Sequence, residues 1–280
     1  MEESKLIGIA TFLYLGSSVF YLIYLTFQNK IINRSASGLA WLGLLVHTAA
    51  IILRWVESYQ NGIGHAPLSN LYESMVFFSW SILLIYLIME LKLKRYILGI
   101  FVVPLGFVTL AATSLLNSEI TPLVPALQSN WLVSHVVSCF LGYAAFAVAF
   151  GASIMYLIKL NQEEKDKELG KILSSFPKAK SLEEIAYKVT AIGFPLLTVG
   201  IVTGSAWANY AWGSYWSWDP KETWSLIVWL IYATYLHARV VRGWRGKKTA
   251  LLSIVGFMAT LFCYLGVNLL LSGLHSYGSG

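Results

Sequence analysis

Two sets of residues in this sequence can do chemistry: five histidines, and one tryptophan-rich stretch from Trp212 to Ser225, WGSYWSWDPKETWS. Large flat side chains at that density, interrupted by Gly213 and Pro220, fit neither an ordinary membrane helix nor a plain solvent loop. Indole faces contribute buried area and stacking of about 0.5–1.5 kcal/mol per aromatic pair beyond burial, so the stretch reads as a platform for a flat ligand. Tryptophan and tyrosine also gather in belts at bilayer surfaces. Belts are scattered over several helix ends, whereas these residues sit in one stretch. Asp219 precedes Pro220, where a carboxylate can cap a helix start. For Asp219 and Glu222, shaping the loop or ordering a ligand stands beside capping.

These residues must be positioned by membrane helices. With 57% hydrophobic and 12% charged residues, a 280-residue chain is far too apolar for a soluble domain, and several runs are long enough to cross a bilayer of ~30 Å. The expected fold class is all-α, a polytopic membrane bundle in one domain, residues 1–280. About eight spans are expected, near 6–27, 38–56, 71–90, 96–116, 131–160, 185–207, 223–241 and 249–272, with Pro104 and Gly106 able to kink the fourth. Cys139 and Cys263 lie far apart in apolar runs without a CxxC pattern, which suits packed small hydrophobes. In the loop before the third span, Gly62, Gly64 and Pro67 are expected to shape a turn, and Ser69 or Asn70 to cap the helix that follows.

Lysine and arginine crowd the loops after the first, third, fifth and seventh spans; the other side holds Lys5, Arg54 and Lys221. The positive-inside rule places the basic side in the cytoplasm and both termini outside with the tryptophan stretch. Topology and anionic lipid account for the positive charge, so no nucleic-acid partner is required.

That topology sorts the histidines. His65, His135 and His275 fall on the external side, where each can be a functional group or an interfacial side chain that snorkels to water. His47 and His237 fall inside helices. Helix rise places His237 ~21 Å below the external start of its span and His47 ~14 Å above the cytoplasmic start of its own. The two could meet in the cytoplasmic half of the bilayer, where an ionisable group marks a function or a proton or ligand path.

WGSYWSWDPKETWS followed by LIVWLIYATYLHAR resembles the "WWD" signature of heme-handling proteins of cytochrome c maturation, most closely the CcsA (ResC) family of the System II pathway. CcmC and CcmF of System I share its core. Further matches lie at 65–76, 131–143 and 269–278. The resemblance implies an external WWD loop, here 206–224, with Trp212, Trp216, Trp218 and Trp224 against heme b and His135 and His275 as axial ligands; position and charge add Asp219 and Arg54 as candidates beside it. It implies a second, inner bis-histidine site at His237, with His47 as its partner by position unless a histidine of another chain takes that place. Arg54 and Lys221 could meet the heme propionates or merely snorkel. The implied partners are CcsB (ResB), apocytochrome c with its CxxCH segment, thioredoxin-like thiol reductants and the lipid bilayer. The implied location is the bacterial cytoplasmic membrane or the thylakoid membrane. The implied activity is that of the heme-handling subunit of a cytochrome c synthetase of heme lyase type. A heme exporter or chaperone without synthase activity, and an assembly scaffold with a structural heme, remain alternatives.

Overall fold

A computed structural model describes residues 2–93, 96–163, 176–271 and 273. The described residues are helical apart from their connections, with no strand among them. The principal helices are α1 (Glu2–Phe27), α2 (Lys30–Gln60), α3 (Leu71–Leu93), α4 (Gly99–Ala112), α5 (Asn130–Glu163), α6 (Ala179–Trp212), α7 (Pro220–Val240) and α8 (Lys247–Leu261). A π-helical turn, Phe262–Gly266, carries α8 on to Leu270.

Seven of these segments are long and apolar enough to cross a membrane, and the chain is a polytopic membrane helix bundle. The exception among the eight expected spans is α7, which has 21 residues but carries Lys221, Glu222, His237 and Arg239. Its length suffices; its polarity sets it apart. The helices also overrun the expected spans, α2 to 31 residues and α6 to 34. Aromatic and small polar residues beyond the apolar core still favour continuing a helix over exposing its backbone.

The chain divides into two compact units. The first holds α1–α4. Here the turn before α3 has Gly62 and Gly64 at φ +74° and +69°, conformations that glycine adopts without steric cost. Asn70 caps α3 by accepting from the Glu73 backbone N–H at 2.8 Å, and Glu73 answers by accepting from the Ser69 N–H at 2.8 Å. In α4, Gly106 lies so close to α3 that a Cβ there would fall 2.0 Å from a Leu83 methyl. The second unit holds α5–α8. Its α5 and α6 meet through small residues: a Cβ on Gly142 would lie 3.1 Å from backbone atoms of Gly193 and Leu197, and one on Gly200 would lie 2.5 Å from Cys139 Sγ. Such residues let membrane helices approach closely.

Candidate functional site

The close approach of α5 and α6 determines the chemistry of His135. Its Nδ1 lies 2.7 Å from the carbonyl oxygen of Gly200, with Cys139 Sγ at 3.7 Å. A carbonyl can only accept, so the proton belongs on Nδ1 and Nε2 carries the free lone pair. A metal-binding histidine is commonly oriented in this way, its second nitrogen donating to a backbone carbonyl. Gly204 leaves room for the ring, since a Cβ there would fall 2.5 Å from Nδ1. Trp207 stacks against the imidazole at 5.9 Å between centroids and 22° between planes. Trp207 itself is buried, donates Nε1–H to the Ala126 carbonyl at 2.8 Å, and meets Trp212 edge-on at 5.0 Å. One face of α6, bearing Gly200, Gly204 and Trp207, thus forms a cradle for His135 and leads to the tryptophan stretch.

The loop is shorter than the expected 206–224: residues 206–212 belong to α6, Trp212 closing it, Trp224 lies in α7, and Gly213–Asp219, which holds Trp216 and Trp218, links them. Gly213 ends α6 in the left-handed conformation, φ +76°, its N–H bonded to the Asn209 carbonyl at 2.9 Å. Ser205 Oγ ties the link back by donating to the Tyr215 carbonyl at 2.8 Å. Asp219 is the N-cap of α7 and forms a capping box with Glu222, as its place before Pro220 suggested. Glu222 does more than close that box. Its Oε2 accepts from the Ser217 N–H at 2.7 Å and the Asp219 N–H at 3.2 Å, on either side of Trp218. Between them Trp218 sits at φ +60°, a strained setting for a bulky residue, with 68% of its surface exposed. Trp216 packs edge-on against it at 5.8 Å, and Tyr215 is also exposed. Most indoles seek cover, yet this one is held outward.

Beneath the link, Lys221 turns inward. Its Nζ donates to Asn268 Oδ1 at 2.6 Å and lies 5.9 Å from the centre of the Tyr264 ring, so of its two expected placements it does not snorkel. The π-helical turn of α8 supplies Tyr264 and also Phe262, which packs 4.3 Å from Trp224. Single π turns inside α-helices are frequent at functional sites. Among the described residues, no three His, Cys, Asp or Glu side chains form a metal-binding group; a flat ligand bound by aromatic faces and single histidines needs none.

The first unit places its predicted residues differently. Arg54 is buried rather than snorkelling: Nε donates to Glu73 Oε1 at 2.9 Å, and Nη1 lies 3.5 Å from Glu3 and 2.9 Å from the Ser118 carbonyl. Tyr72 donates to the other Glu3 oxygen at 2.9 Å, and the guanidinium covers its ring at 4.9 Å. A guanidinium so engaged acts as a structural counter-ion. His65 has both ring nitrogens against backbone carbonyls, Ala66 at 2.9 Å and Thr121 at 3.1 Å. His47 is fully buried; Nδ1 meets the Tyr14 hydroxyl at 3.2 Å, whereas Nε2 has no hydrogen-bond partner. His237, in the other unit, is exposed in the last turn of α7. His275 lies outside the described residues.

Residues that sequence reasoning missed are Trp207, Gly200, Gly204 and Asn268, together with the double role of Glu222. The spacing Gly200, Gly204, Trp207 puts all three on one helical face, a legible signal. Nothing local marks Asn268.

Comparison with known proteins bears on this arrangement. Residues 68–275 match the family described as cytochrome C assembly protein. A cytochrome c biogenesis protein CcsA from Guillardia theta is 42% identical, over 94% of this chain and 92% of the relative. A namesake from Gloeobacter violaceus is 38% identical, over 99% and 98%. The solved structure of the cytochrome c heme lyase CcmF shares the fold, with a TM-score of 0.70 at 18% identity over 94% of this chain; the match spans 46% of the length of that structure.

Proposed function

Because the chain belongs to the cytochrome C assembly protein family, and so to cytochrome c biogenesis, we propose that it receives heme as a substrate within the membrane and presents it at the tryptophan stretch for attachment to apocytochrome c. The observation that carries this reading is the state of His135, whose Nδ1 is engaged by Gly200 while Nε2 stays free, next to a stretch with an exposed indole. His135 and His275 would hold the iron of the bound heme. Trp212, Trp216, Trp218 and Trp224 flank the macrocycle, and Asp219 serves by fixing the start of α7. Arg54, closed within its ion pairs, takes no part, and Lys221 is the cation left near the stretch for a propionate.

The fit extends to the inner histidines. A buried imidazole nitrogen without a partner costs about 1–3 kcal/mol, and iron would satisfy Nε2 of His47. His237, exposed in the last turn of α7, is open to a ligand or to a partner chain. The positive-inside rule puts each of them toward the cytoplasm, as candidates to receive incoming heme, with the tryptophan stretch on the external side of a bacterial or thylakoid membrane.

Attachment joins each CxxCH thiol to a vinyl group. Sulfur bonds to one vinyl carbon and a proton adds to the other, with no net oxidation. Holding thiol and vinyl in register supplies the rate, because it removes the entropic cost of their encounter. CcsB (ResB) is the partner membrane protein, and thioredoxin-like reductants keep the thiols reduced.

The test is the absorption spectrum of the full chain purified with its CcsB partner, for the wild type and for His135→Gly, His275→Gly and His237→Gly. We expect reduced bis-histidine heme in the wild type, lost in the external variants and regained with added imidazole. Heme-free wild type, or a spectrum indifferent to all three changes, would overturn the proposal and leave the aromatic stretch as an interfacial belt.

A further inference from the structure

We infer that Trp207 is the positioning residue for His135: with the Gly200 carbonyl it holds the imidazole as the Nδ1–H tautomer, so that Nε2 is the nitrogen offered to a ligand. The inference rests on the reading of His135 as a ligand. Three contacts converge on this ring. The Gly200 oxygen, 2.7 Å from Nδ1, fixes which nitrogen bears the proton. The Trp207 indole, 22° from parallel, blocks rotation of the ring out of that hydrogen bond. Gly204 leaves no spare volume on the α6 side, where even a methyl would fall 2.5 Å from Nδ1.

Trp207 can serve as a wall because it is itself fixed. It is 3% exposed, donates Nε1–H to the Ala126 carbonyl at 2.8 Å, and is braced edge-on by Trp212 at 5.0 Å. Burial to that degree keeps it from offering a face to a ligand at the stretch, in contrast with Trp218. Its effect therefore passes through His135. An imidazole freed from this wall would exchange tautomers and rotamers, and only a fraction of molecules would present Nε2, which lowers apparent affinity by that fraction.

The experiment is magic-angle-spinning NMR of the full chain with its partner in lipid, labelled with ¹⁵N-histidine and assigned with His135→Gln. Heme content is read on the same samples. In the wild type we expect protonated Nδ1 and unprotonated Nε2 at His135. Trp207→Leu should give mixed tautomers and about tenfold less bound heme. Trp207→Phe, which keeps a stacking ring but not the N–H, should keep the tautomer and most of the heme. If Trp207→Leu does not accumulate, Gly204→Ala, which pushes directly on Nδ1, takes its place with the same expected mixing. A His135 signal unchanged in Trp207→Leu or Gly204→Ala, or protonated at Nε2 in the wild type, overturns the inference whatever the heme content. Heme-free wild type with the tautomer pattern as expected leaves the positioning of His135 standing and overturns the heme reading instead.

Discussion

His65 and His135 are both histidines near helix ends, and they have opposite fates. His65, in the first unit, has both ring nitrogens against carbonyls; His135, in the second, has one nitrogen engaged and one free. The surroundings follow the same division. Around Arg54, two carboxylates, a tyrosine hydroxyl and two backbone carbonyls close a buried network. At the tryptophan stretch an indole is held outward in a strained backbone. Polar groups that satisfy one another stabilise a fold. Groups left open, with the backbone strained to keep them so, mark where a protein binds something else.

The sharpest way to break this comparison is to open the closed network. Arg54→Ala leaves Glu3 and Glu73 buried at a few per cent exposure without their cation, which should cost about 3–5 kcal/mol. We expect a large fall in thermal stability in lipid nanodiscs and in membrane abundance; a variant as stable as the wild type would show that the network is not what secures the first unit. Glu222→Ala should cost less, about 1–2 kcal/mol, through loss of the cap. Its signature is local: with the Ser217 and Asp219 amides released, the quenching of Trp218 fluorescence by acrylamide should change, measured as the difference from Trp218→Phe.

Trp218→Gly tests the strain itself and carries the opposite sign. Glycine accepts φ +60° freely, so the variant should gain up to about 1 kcal/mol while binding less heme. Stability and binding moving apart in calorimetry and heme titration would sharpen the contrast between the two regions; moving together would erase it. The smallest effect is expected at the exposed Lys188–Glu184 pair, 3.5 Å apart on α6. Lys188→Ala should change stability by no more than about 0.5 kcal/mol, a baseline for the Arg54 result.

Much of this was legible in the residues. Apolar runs located the helices, Asn70 and Asp219 announced the starts of α3 and α7, and Gly62 and Gly64 announced a turn. Each signal acts within a few residues of itself. The misplacements share a different cause. Arg54 and Lys221 were expected either to meet a propionate or to snorkel, because sequence shows only depth along a helix, not which face a neighbouring helix covers. The tryptophan stretch was expected as a long loop because its composition is unlike a membrane helix. Yet α6 continues as far as Trp212 before Gly213 turns it, and α7 takes up the chain again at Pro220.

By itself, then, the sequence determined the class, the helices and their caps, and the signature that carries the family, since hydropathy and backbone capping depend on near neighbours along the chain. Which nitrogen of His135 is free was decided by a carbonyl 65 residues away, and which side of Arg54 is covered by a carboxylate 51 residues before it. Such pairings arise only when helix faces meet, because a hydrogen bond reaches about 3 Å and nothing along the chain reports what will come within that reach.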